Sequence, residues 1–214
     1  MICYAAHATT AVNRAALDAA GWGLLCSAAY RWTDPVWRSR ARGGHGLALD
    51  NGAWTAHNKG VVFDDAAFTR AVLAQDGPDA LDFIVCPDVV MDAAGTRAMA
   101  SRWLAWTLSH TRRVLLPVQD GMEGDALPLS DRVGLFVGGS TEWKERTIPY
   151  WAQRARNAGC YCHVGRVNTT QRMNICRNAG VDSIDGSGVS KFKVHLDRIE
   201  AGRRVGQLNF GART

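Results

Sequence analysis

Polar or glycine residues close one apolar run after another along this chain. They are Asp50, Asp88, Gln119, Gly138 with Gly139, Arg166 and Asp185. A carboxylate next to an apolar run costs free energy unless it has hydrogen-bonding partners. Each aspartate alone has an ordinary explanation as the N-cap of the following helix. A whole series of polar residues at the same place in successive runs instead indicates a shared site.

The chemistry that suits this set is recognition of a base combined with glycosyl transfer. Carboxylates only accept hydrogen bonds, so they can read the N–H donors of a purine edge. Gln119 and a backbone N–H at Gly138 or Gly139 are suited to a carbonyl oxygen, and glycine lets a flat ring approach the backbone closely. A further carboxylate can attack an anomeric carbon and form a covalent sugar–enzyme intermediate.

The elements that must position these residues are short apolar runs alternating with helical patterns. We predict strands at about residues 2–6, 23–29, 47–50, 82–86, 113–119, 133–137, 161–167 and 181–185. Helical patterns cover about residues 12–20, 66–74, 93–109, 142–158, 170–179 and 191–201. Trp103 and Trp106, at helical spacing in the third of these, are interpreted as core packing.

Alternation of strands and helices requires parallel strands, because parallel neighbours need a crossover connection. Eight such units close a barrel, so the predicted fold is a compact, single-domain α/β protein, a (β/α)8 TIM-type barrel over residues 1–201 with a C-terminal tail at 202–214. An open, doubly wound sheet is the alternative. In a closed barrel the carboxyl ends of all strands meet at one rim, which brings Asp50, Asp88 and Asp185 together.

Five segments, in order over about residues 45 to 190, resemble the tRNA-guanine transglycosylase family. Leu49-Asp50-Asn51-Gly52-Ala53-Trp54 is similar to the family's Asp-Ser-Gly-Gly-Phe/Tyr segment, and Pro87-Asp88 falls where the family has its second base-reading aspartate. Pro117-Val118-Gln119-Asp120-Gly121-Met122 is similar to its Val-Gln-Gly-Gly/Ser segment, and Val137-Gly138-Gly139-Ser140 to its Ile-Gly-Gly segment. The last block is His163-Val164-Gly165-Arg166, then a Thr-capped helix, then Gly180-Val181-Asp182-Ser183-Ile184-Asp185. It is similar to the family's block of Gly-Val/Ile-Gly, a helix and Gly-Val-Asp-x-Phe-Asp.

The resemblance implies a role for each matching residue. Asp185 would be the nucleophile on the sugar C1′, and Asp50 would be the general acid and base. Asp88, Gln119 and Gly139 would read the guanine or 7-deazaguanine edge. The same segments contribute three more residues to the predicted base pocket, Asn51, Gly138 and Arg166. Asp182 is the rival nucleophile: we interpret strand alternation as placing Asp182 and Asp185 on one face, so the choice of Asp185 depends on the resemblance.

The chain also departs from the family pattern. Asn51 replaces the usual Ser, Asp120 replaces a Gly, and nothing after the nucleophile matches the family's Cys-x-Cys-x-x-Cys…His zinc subdomain. The small size and the missing zinc subdomain resemble the DNA-modifying branch of the superfamily, which inserts 7-deazaguanine derivatives into DNA. We therefore expect a nucleic-acid partner, with DNA favoured over tRNA, a free 7-deazaguanine base as second substrate, and no cofactor.

The charge distribution is compatible with a polyanionic partner, since the formal net charge is +5. Arg38, Arg40 and Arg42 share a loop with Trp32 and Trp37, a mixture of basic and aromatic residues that suits a backbone clamp or stacking surface. A loop that packs its tryptophans on the barrel is the plainer alternative. Lys191 and Lys193, shortly after the nucleophile, are further candidates for phosphate contacts.

The remaining composition limits the location and the alternatives. The six cysteines are not spaced as a disulfide scaffold, and no metal site is expected at Cys160 and Cys162. We find no signal peptide and no apolar run long enough for a membrane span, so we expect a cytoplasmic protein without a membrane partner. A homodimer and association with other modification proteins stay open. A tRNA-directed enzyme, a nucleoside N-glycosidase and a non-catalytic nucleic-acid-binding subunit are the alternative functions.

Overall fold

The computed structural model describes residues 1–6, 11–30, 46–191 and 194–201. Its strands form one closed, all-parallel barrel in which each pairs with the next and the last pairs with the first. These strands are β1 Ile2–Ala5, β2 Gly23–Ser27, β3 Leu47–Asp50, β4 Phe83–Val85, β5 Val114–Val118, β6 Val133–Val137, β7 Cys162–Val164 and β8 Ser183–Gly186. The predicted (β/α)8 barrel is thus confirmed, and the open sheet is excluded because β1 and β8 pair.

Helices cover the outside of the barrel. They are α1 Ala11–Ala19, α2 Ala53–Lys59, α3 Asp65–Leu73, α4 Ala93–Leu108, α5 Thr141–Ala158, α6 Thr170–Ala179 and the short α7 Gly188–Lys191, and residues 194–201 are also helical. Local sequence explains several ends: the side chain of Asp64 caps α3 by accepting the Ala67 N–H at 2.8 Å, and Thr169 caps α6. Gly159 and Gly180 end α5 and α6 in the left-handed conformation.

Two differences from the predicted elements bear on the site. Helix α2 was not predicted, because it is short and begins directly after Gly52, whose φ of 89° closes the turn that follows β3. Strand β7 ends at Val164, three residues earlier than predicted, since Arg166 adopts a φ of 59° that a strand cannot continue. Both turns lie at the carboxyl ends of strands, where they direct side chains over the barrel mouth.

The barrel interior is filled mainly by apolar and aromatic side chains. Tyr4, Leu25, Ala48, Phe83, Val85 and Leu115 form one buried cluster there, with Phe136 and Tyr161 packed against it. The helices add a second layer of core, in which Trp103 is buried and Trp106 packs against the same cluster, as predicted. Burial of this apolar surface drives closure of the barrel, and the closed barrel then fixes the positions of the strand ends.

Two of the sequence expectations concern matters beyond the barrel itself. In the part of the chain that the structure describes, no helix combines the length and the apolar character that crossing a membrane requires. The predicted tail, residues 202–214, lies outside the described residues.

Candidate active site

The three aspartates that the sequence singles out lie at the same end of the barrel. Asp50 is the last residue of β3, Asp88 follows β4, and Asp185 is the next-to-last residue of β8. Because all strands are parallel, these positions share the rim formed by the carboxyl ends. Burial, then the charges of Asp185 and Asp88, raise the pKa of Asp50, so Asp50 is near enough to interact with each of the other two carboxylates.

Asp88 is buried, and two amide side chains hold it. Asn51 Nδ2 donates to Asp88 Oδ1 at 2.8 Å, and Gln119 Nε2 donates to Asp88 Oδ2 at 2.5 Å. Burial raises the pKa of Asp88 to about 6, although these two hydrogen bonds and the charge of Arg166 oppose the rise. A carboxylate has about four lone-pair sites, so two remain to accept N–H groups from a ligand.

Asn51 supports the site without being free to read a ligand. Its Nδ2 also donates to the Cys86 carbonyl at 2.7 Å, and its Oδ1 accepts the Ala53 N–H at 2.8 Å. The side chain is 4% exposed. Asn51 therefore ties the start of α2 to the end of β4. The sequence predicts that Asn51 contacts the base. In the structure both of its N–H groups are engaged, and one lone pair of Oδ1 is the hydrogen-bonding capacity that remains.

Gln119 and the glycine pair are joined to each other. Gln119 Oε1 accepts the Gly139 N–H at 2.8 Å and the Met91 N–H at 3.3 Å, while the Gly138 N–H donates to the Val118 carbonyl at 3.0 Å. Both glycine N–H groups are thus engaged inside the protein. The hydrogen-bond donor that remains for a ligand carbonyl is the second N–H of the Gln119 amide. Of the two donors expected from the sequence, the glycine N–H groups are thus engaged within the protein, and Gln119 keeps an N–H for a ligand.

Asp50 has the electrostatic character of a proton-transfer group. Burial, then the charges of Asp185 and Asp88, raise its pKa to about 7, and hydrogen bonds from the Gly52 N–H and Ser27 oppose the rise. The Gly52 N–H donates to Asp50 Oδ2 at 3.1 Å. A carboxyl group with a pKa near neutrality can both give and take a proton at physiological pH.

Asp185 is held through one of its two oxygens. Oδ1 lies 3.0 Å from His163 Nε2 and accepts the Arg166 N–H at 3.2 Å. Among the residues that the structure describes, no hydrogen bond engages Oδ2. The side chain of Asp185 is 13% exposed, whereas that of His163 is 0% exposed. Asp185 is therefore a partly exposed carboxylate that is fixed through Oδ1, and its Oδ2 is left without a hydrogen bond from the described residues.

The structure places Asp182, the rival candidate for the nucleophile, away from the rim. Our interpretation that Asp182 and Asp185 share one face is wrong, because residues three apart in a strand point to opposite faces. Asp182 precedes β8 and is exposed, and its Oδ2 accepts the Cys162 N–H at 2.8 Å. It lies at the amino end of the strands, away from the rim that carries Asp50.

Arg166 extends over the rim and contacts three other elements of the site. Its guanidinium donates to the Gly139 carbonyl, and its Cζ lies 4.0 Å from the centre of the Trp54 ring. Burial lowers the pKa of Arg166, and the charge of Asp185 opposes that effect. Trp54 stands in the first family-like segment but was not predicted as a site residue. The two side chains meet where Arg166 adopts a φ of 59° in the turn after β7.

Lys144, in α5, is a charged site neighbour that sequence reasoning missed. It is 1% exposed, and its Nζ donates to the Gly165 carbonyl at 2.5 Å. Burial, then the charge of Arg166, lower its pKa to about 7, and Asp185 opposes this change. Lys144 therefore supports the loop whose next N–H, that of Arg166, reaches Asp185. A lysine in an amphipathic helix carries no sequence signal that it will be buried.

Asp120, a departure from the family pattern, has a structural function. Its Oδ1 accepts the Ser140 N–H at 2.7 Å, and its Oδ2 accepts the Ser140 hydroxyl at 2.6 Å. These bonds link the loop after β5 to the start of α5. They hold Gly139, whose φ of 67° and crowded surroundings leave no room for a side chain.

The predicted nucleic-acid contacts are not described by the structure. Arg38, Arg40, Arg42 and Lys193, together with Trp32 and Trp37, lie outside the described residues, and of Lys191 only the backbone, at the end of α7, is described. Within the described ranges, no three or more His, Cys, Asp or Glu side chains are grouped as a metal site. Cys160 and Cys162 are both buried and free.

Comparisons with known proteins do not assign this chain to a family. No protein-family model matches the chain, and no curated protein matches it.

Proposed function

We propose that the chain is a base-exchange transglycosylase that replaces guanine in a nucleic acid with a 7-deazaguanine derivative. DNA is the favoured nucleic acid. The single observation that carries this proposal is the pairing at one rim of Asp185, with an oxygen left for attack, and Asp50, with a pKa near 7. One group is suited to form a bond to carbon and the other to move a proton, which are the two tasks that base exchange requires.

In the first half of the reaction, Asp185 Oδ2 attacks C1′ of the target nucleotide. The C1′–N9 bond breaks, and its electron pair leaves with the guanine. Protonated Asp50 supplies a proton to the departing base. The products are free guanine and a covalent ester between the Asp185 oxygen and the sugar of an otherwise intact strand.

The second half reverses these steps with a different base. Ionised Asp50 takes the N9 proton of the incoming 7-deazaguanine, and the nitrogen attacks C1′. The bond between C1′ and the Asp185 oxygen breaks, which restores the carboxylate. Each bond broken in one half is formed again in the other, so the exchange needs no external energy source and no cofactor.

Base recognition falls to Asp88 and Gln119. The free lone pairs of Asp88 accept N–H groups from the N1 and N2 edge of guanine, and the second N–H of Gln119 donates to the carbonyl O6. The Gly138 position adds no side chain between Gln119 and the ring. This pattern favours guanine and its 7-deaza analogues over adenine, which offers no N1–H.

The target nucleotide must leave its stack to place C1′ beside Asp185. The basic residues predicted to meet phosphates support a polymeric substrate, and the resemblance to the DNA-modifying branch supports DNA. Arg166 and Trp54, which already stack at the rim, are positioned to contact a flipped nucleotide.

The direct test is exchange of labelled guanine into single- and double-stranded DNA oligonucleotides and into tRNA. Asp185→Asn should lower exchange by at least about 10³-fold and abolish the denaturant-stable adduct with the oligonucleotide. Asp182→Asn is the matched control, since the same change three residues earlier falls outside the site and preserves the acceptor for the Cys162 N–H. Its exchange rate should equal that of the wild type.

Other results would point to other functions. Release of base from free nucleosides without polymer would make the chain an N-glycosidase. A gel shift with oligonucleotide but no exchange would make it a non-catalytic binding subunit. Normal turnover by Asp185→Asn would refute the nucleophile assignment, and transfer into tRNA alone would reverse the preference for DNA.

A further inference from the structure

A histidine and a serine lie behind Asp185 inside the barrel, and the proposed reaction gives them no task. His163 Nε2 is 3.0 Å from Asp185 Oδ1, and His163 Nδ1 is 2.7 Å from Ser183 Oγ. A carboxylate accepts hydrogen bonds, so we expect Nε2 to be the donor in this pair. The Ser183 hydroxyl engages the other ring nitrogen and thereby fixes which nitrogen faces Asp185.

The three residues are of the same types as a Ser-His-Asp hydrolase triad, but here the aspartate is the exposed residue and the serine is the buried one. In a hydrolase the serine meets the substrate and the aspartate is the buried end. Here Ser183 and His163 are fully buried, whereas the Asp185 side chain is 13% exposed. Substrate can therefore reach the aspartate and not the serine, so the arrangement serves the carboxylate.

Aromatic rings hold the imidazole plane in place. The ring of His163 stacks on Phe136 with centroids 5.0 Å apart and an interplanar angle of 21°, and Phe83 lies 5.2 Å away on centroids. Tyr4 packs at 6.0 Å with its edge toward the same ring. A side chain enclosed in this way cannot rotate without displacing the barrel core, so the Nε2–H direction is fixed.

The backbone adds a second donor to the same carboxylate oxygen. The Arg166 N–H donates to Asp185 Oδ1, and Lys144 holds the preceding Gly165 carbonyl from below. Two fixed donors on Oδ1 set the rotation of the carboxylate and leave Oδ2 as the oxygen that no described hydrogen bond engages. Such preorganisation matters for catalysis, since a misplacement of about 1 Å can cost about 100-fold in rate.

We propose that His163, oriented by Ser183, is the positioning residue that selects Asp185 Oδ2 as the attacking atom. This inference rests on the proposed base exchange for its catalytic consequence. The hydrogen-bonded pair itself is a property of the free protein. It is therefore open to a measurement that does not depend on activity.

The kinetic test compares two substitutions of one residue. His163→Leu removes the donor and should lower kcat for exchange of guanine into an oligonucleotide by about 100-fold. His163→Gln places an amide N–H near the position of Nε2 and should recover at least about ten-fold of that loss. The KM for guanine should change less than about two-fold in both, because Asp88 and Gln119, which read the base, are untouched. Equal kcat values for His163→Leu and the wild type would overturn the proposal, as would failure of Gln to recover any rate in a folded variant.

The spectroscopic test uses protein labelled with ¹⁵N at its six histidines. The His163 signals are those missing from His163→Gln. We expect Nε2 to carry a hydrogen in the wild type and its resonance to move in Asp185→Ala. The positioning role of His163 is overturned if Nε2 carries no hydrogen in the wild type, or if its resonance does not shift in Asp185→Ala.

The two tests separate the inference from the proposed function. If the wild type exchanges no base into any oligonucleotide, the proposed function fails, and the spectrum alone decides whether His163 holds Asp185. If His163→Leu does not fold, Ser183→Ala replaces it. That variant should lower kcat about ten-fold and shift the Nδ1 resonance of His163, and an unchanged kcat with an unchanged spectrum would refute the part assigned to Ser183.

Discussion

Replacement of Asp50 by asparagine should stabilise the folded protein, and the gain should grow with pH. Burial and the neighbouring charges of Asp185 and Asp88 raise the pKa of Asp50 from 3.8 to about 7. The folded state therefore binds a proton at Asp50 more tightly than the unfolded chain does. The wild type loses stability as pH rises from the unfolded pKa through the folded one, and the uncharged amide escapes this loss.

The magnitude follows from the size of the pKa change. A rise from 3.8 to about 7 corresponds to an upper limit of about 4 kcal/mol at pH 8 and about 1.7 kcal/mol at pH 5. Asp50 is only partly buried, so solvent screening reduces both figures. We expect the advantage of Asp50→Asn over the wild type to increase by about 1–2 kcal/mol between pH 5 and pH 8. The amide oxygen still accepts the Gly52 N–H, and the amide N–H can donate to the Ser27 hydroxyl in place of the bond that Ser27 makes to the carboxylate.

Urea unfolding followed by the fluorescence of the eight tryptophans measures this difference at each pH. Asp64→Asn is a matched control, because it also removes one carboxylate but at an exposed N-cap where asparagine caps equally well. Its free energy of unfolding should stay within about 0.5 kcal/mol of the wild type at both values of pH. An Asp50→Asn variant that is destabilised at pH 8, or whose advantage does not change with pH, would show that Asp50 is not electrostatically strained at the rim.

Two further variants test the supports of the site. Gly139→Ala should destabilise the protein by about 2–4 kcal/mol, because its Cβ would lie 2.5 Å from Asp120 Oδ1 and 2.6 Å from the Trp143 ring. The control is Gly159→Ala, which has a similar positive φ but nothing within 4 Å and should cost about 1 kcal/mol. If urea unfolding shows the same loss of free energy in both variants, crowding at Gly139 is not the cause. For Lys144, whose burial lowers its pKa from 10.5 to about 7, the unfolded chain binds the proton more tightly than the folded state between these values. The stability of the wild type relative to Lys144→Met should therefore rise from pH 7 to pH 9.5 in urea unfolding, and a fall over that range would refute the assigned burial.

The barrel and its rim were predictable because each depends on local patterns that repeat along the chain. Apolar runs and helical periodicity identify strands and helices, and parallel closure then forces Asp50, Asp88 and Asp185 to one end whatever the details of packing. The side chains on the rim, however, form hydrogen bonds to residues from other strands, and the periodicity of a sequence does not predict these bonds. The sequence therefore leaves the Gly139 N–H available to a ligand, whereas in the structure it donates to Oε1 of Gln119, twenty residues earlier in the chain.

One cation of the site, Lys144, was hidden for a related physical reason, whereas Arg166 was predicted because it follows an apolar run. A cluster of carboxylates in a partly buried rim repels itself, as the raised pKa of Asp50 records, and it must be balanced by positive charge or by N–H donors. The balancing groups need only reach the rim, so they can begin on any neighbouring element: Lys144 comes from α5, and Arg166 from a turn with a φ of 59°. A sequence pattern finds the acids and Arg166 because they follow strand ends, while Lys144 and His163 are found only when the closed barrel places β7 beside β8 and α5 beside β7. The arrangement around Asp185 is thus a consequence of closure, and any change that loosens the pairing of β7 with β8 should weaken the hold on the carboxylate before it unfolds the protein.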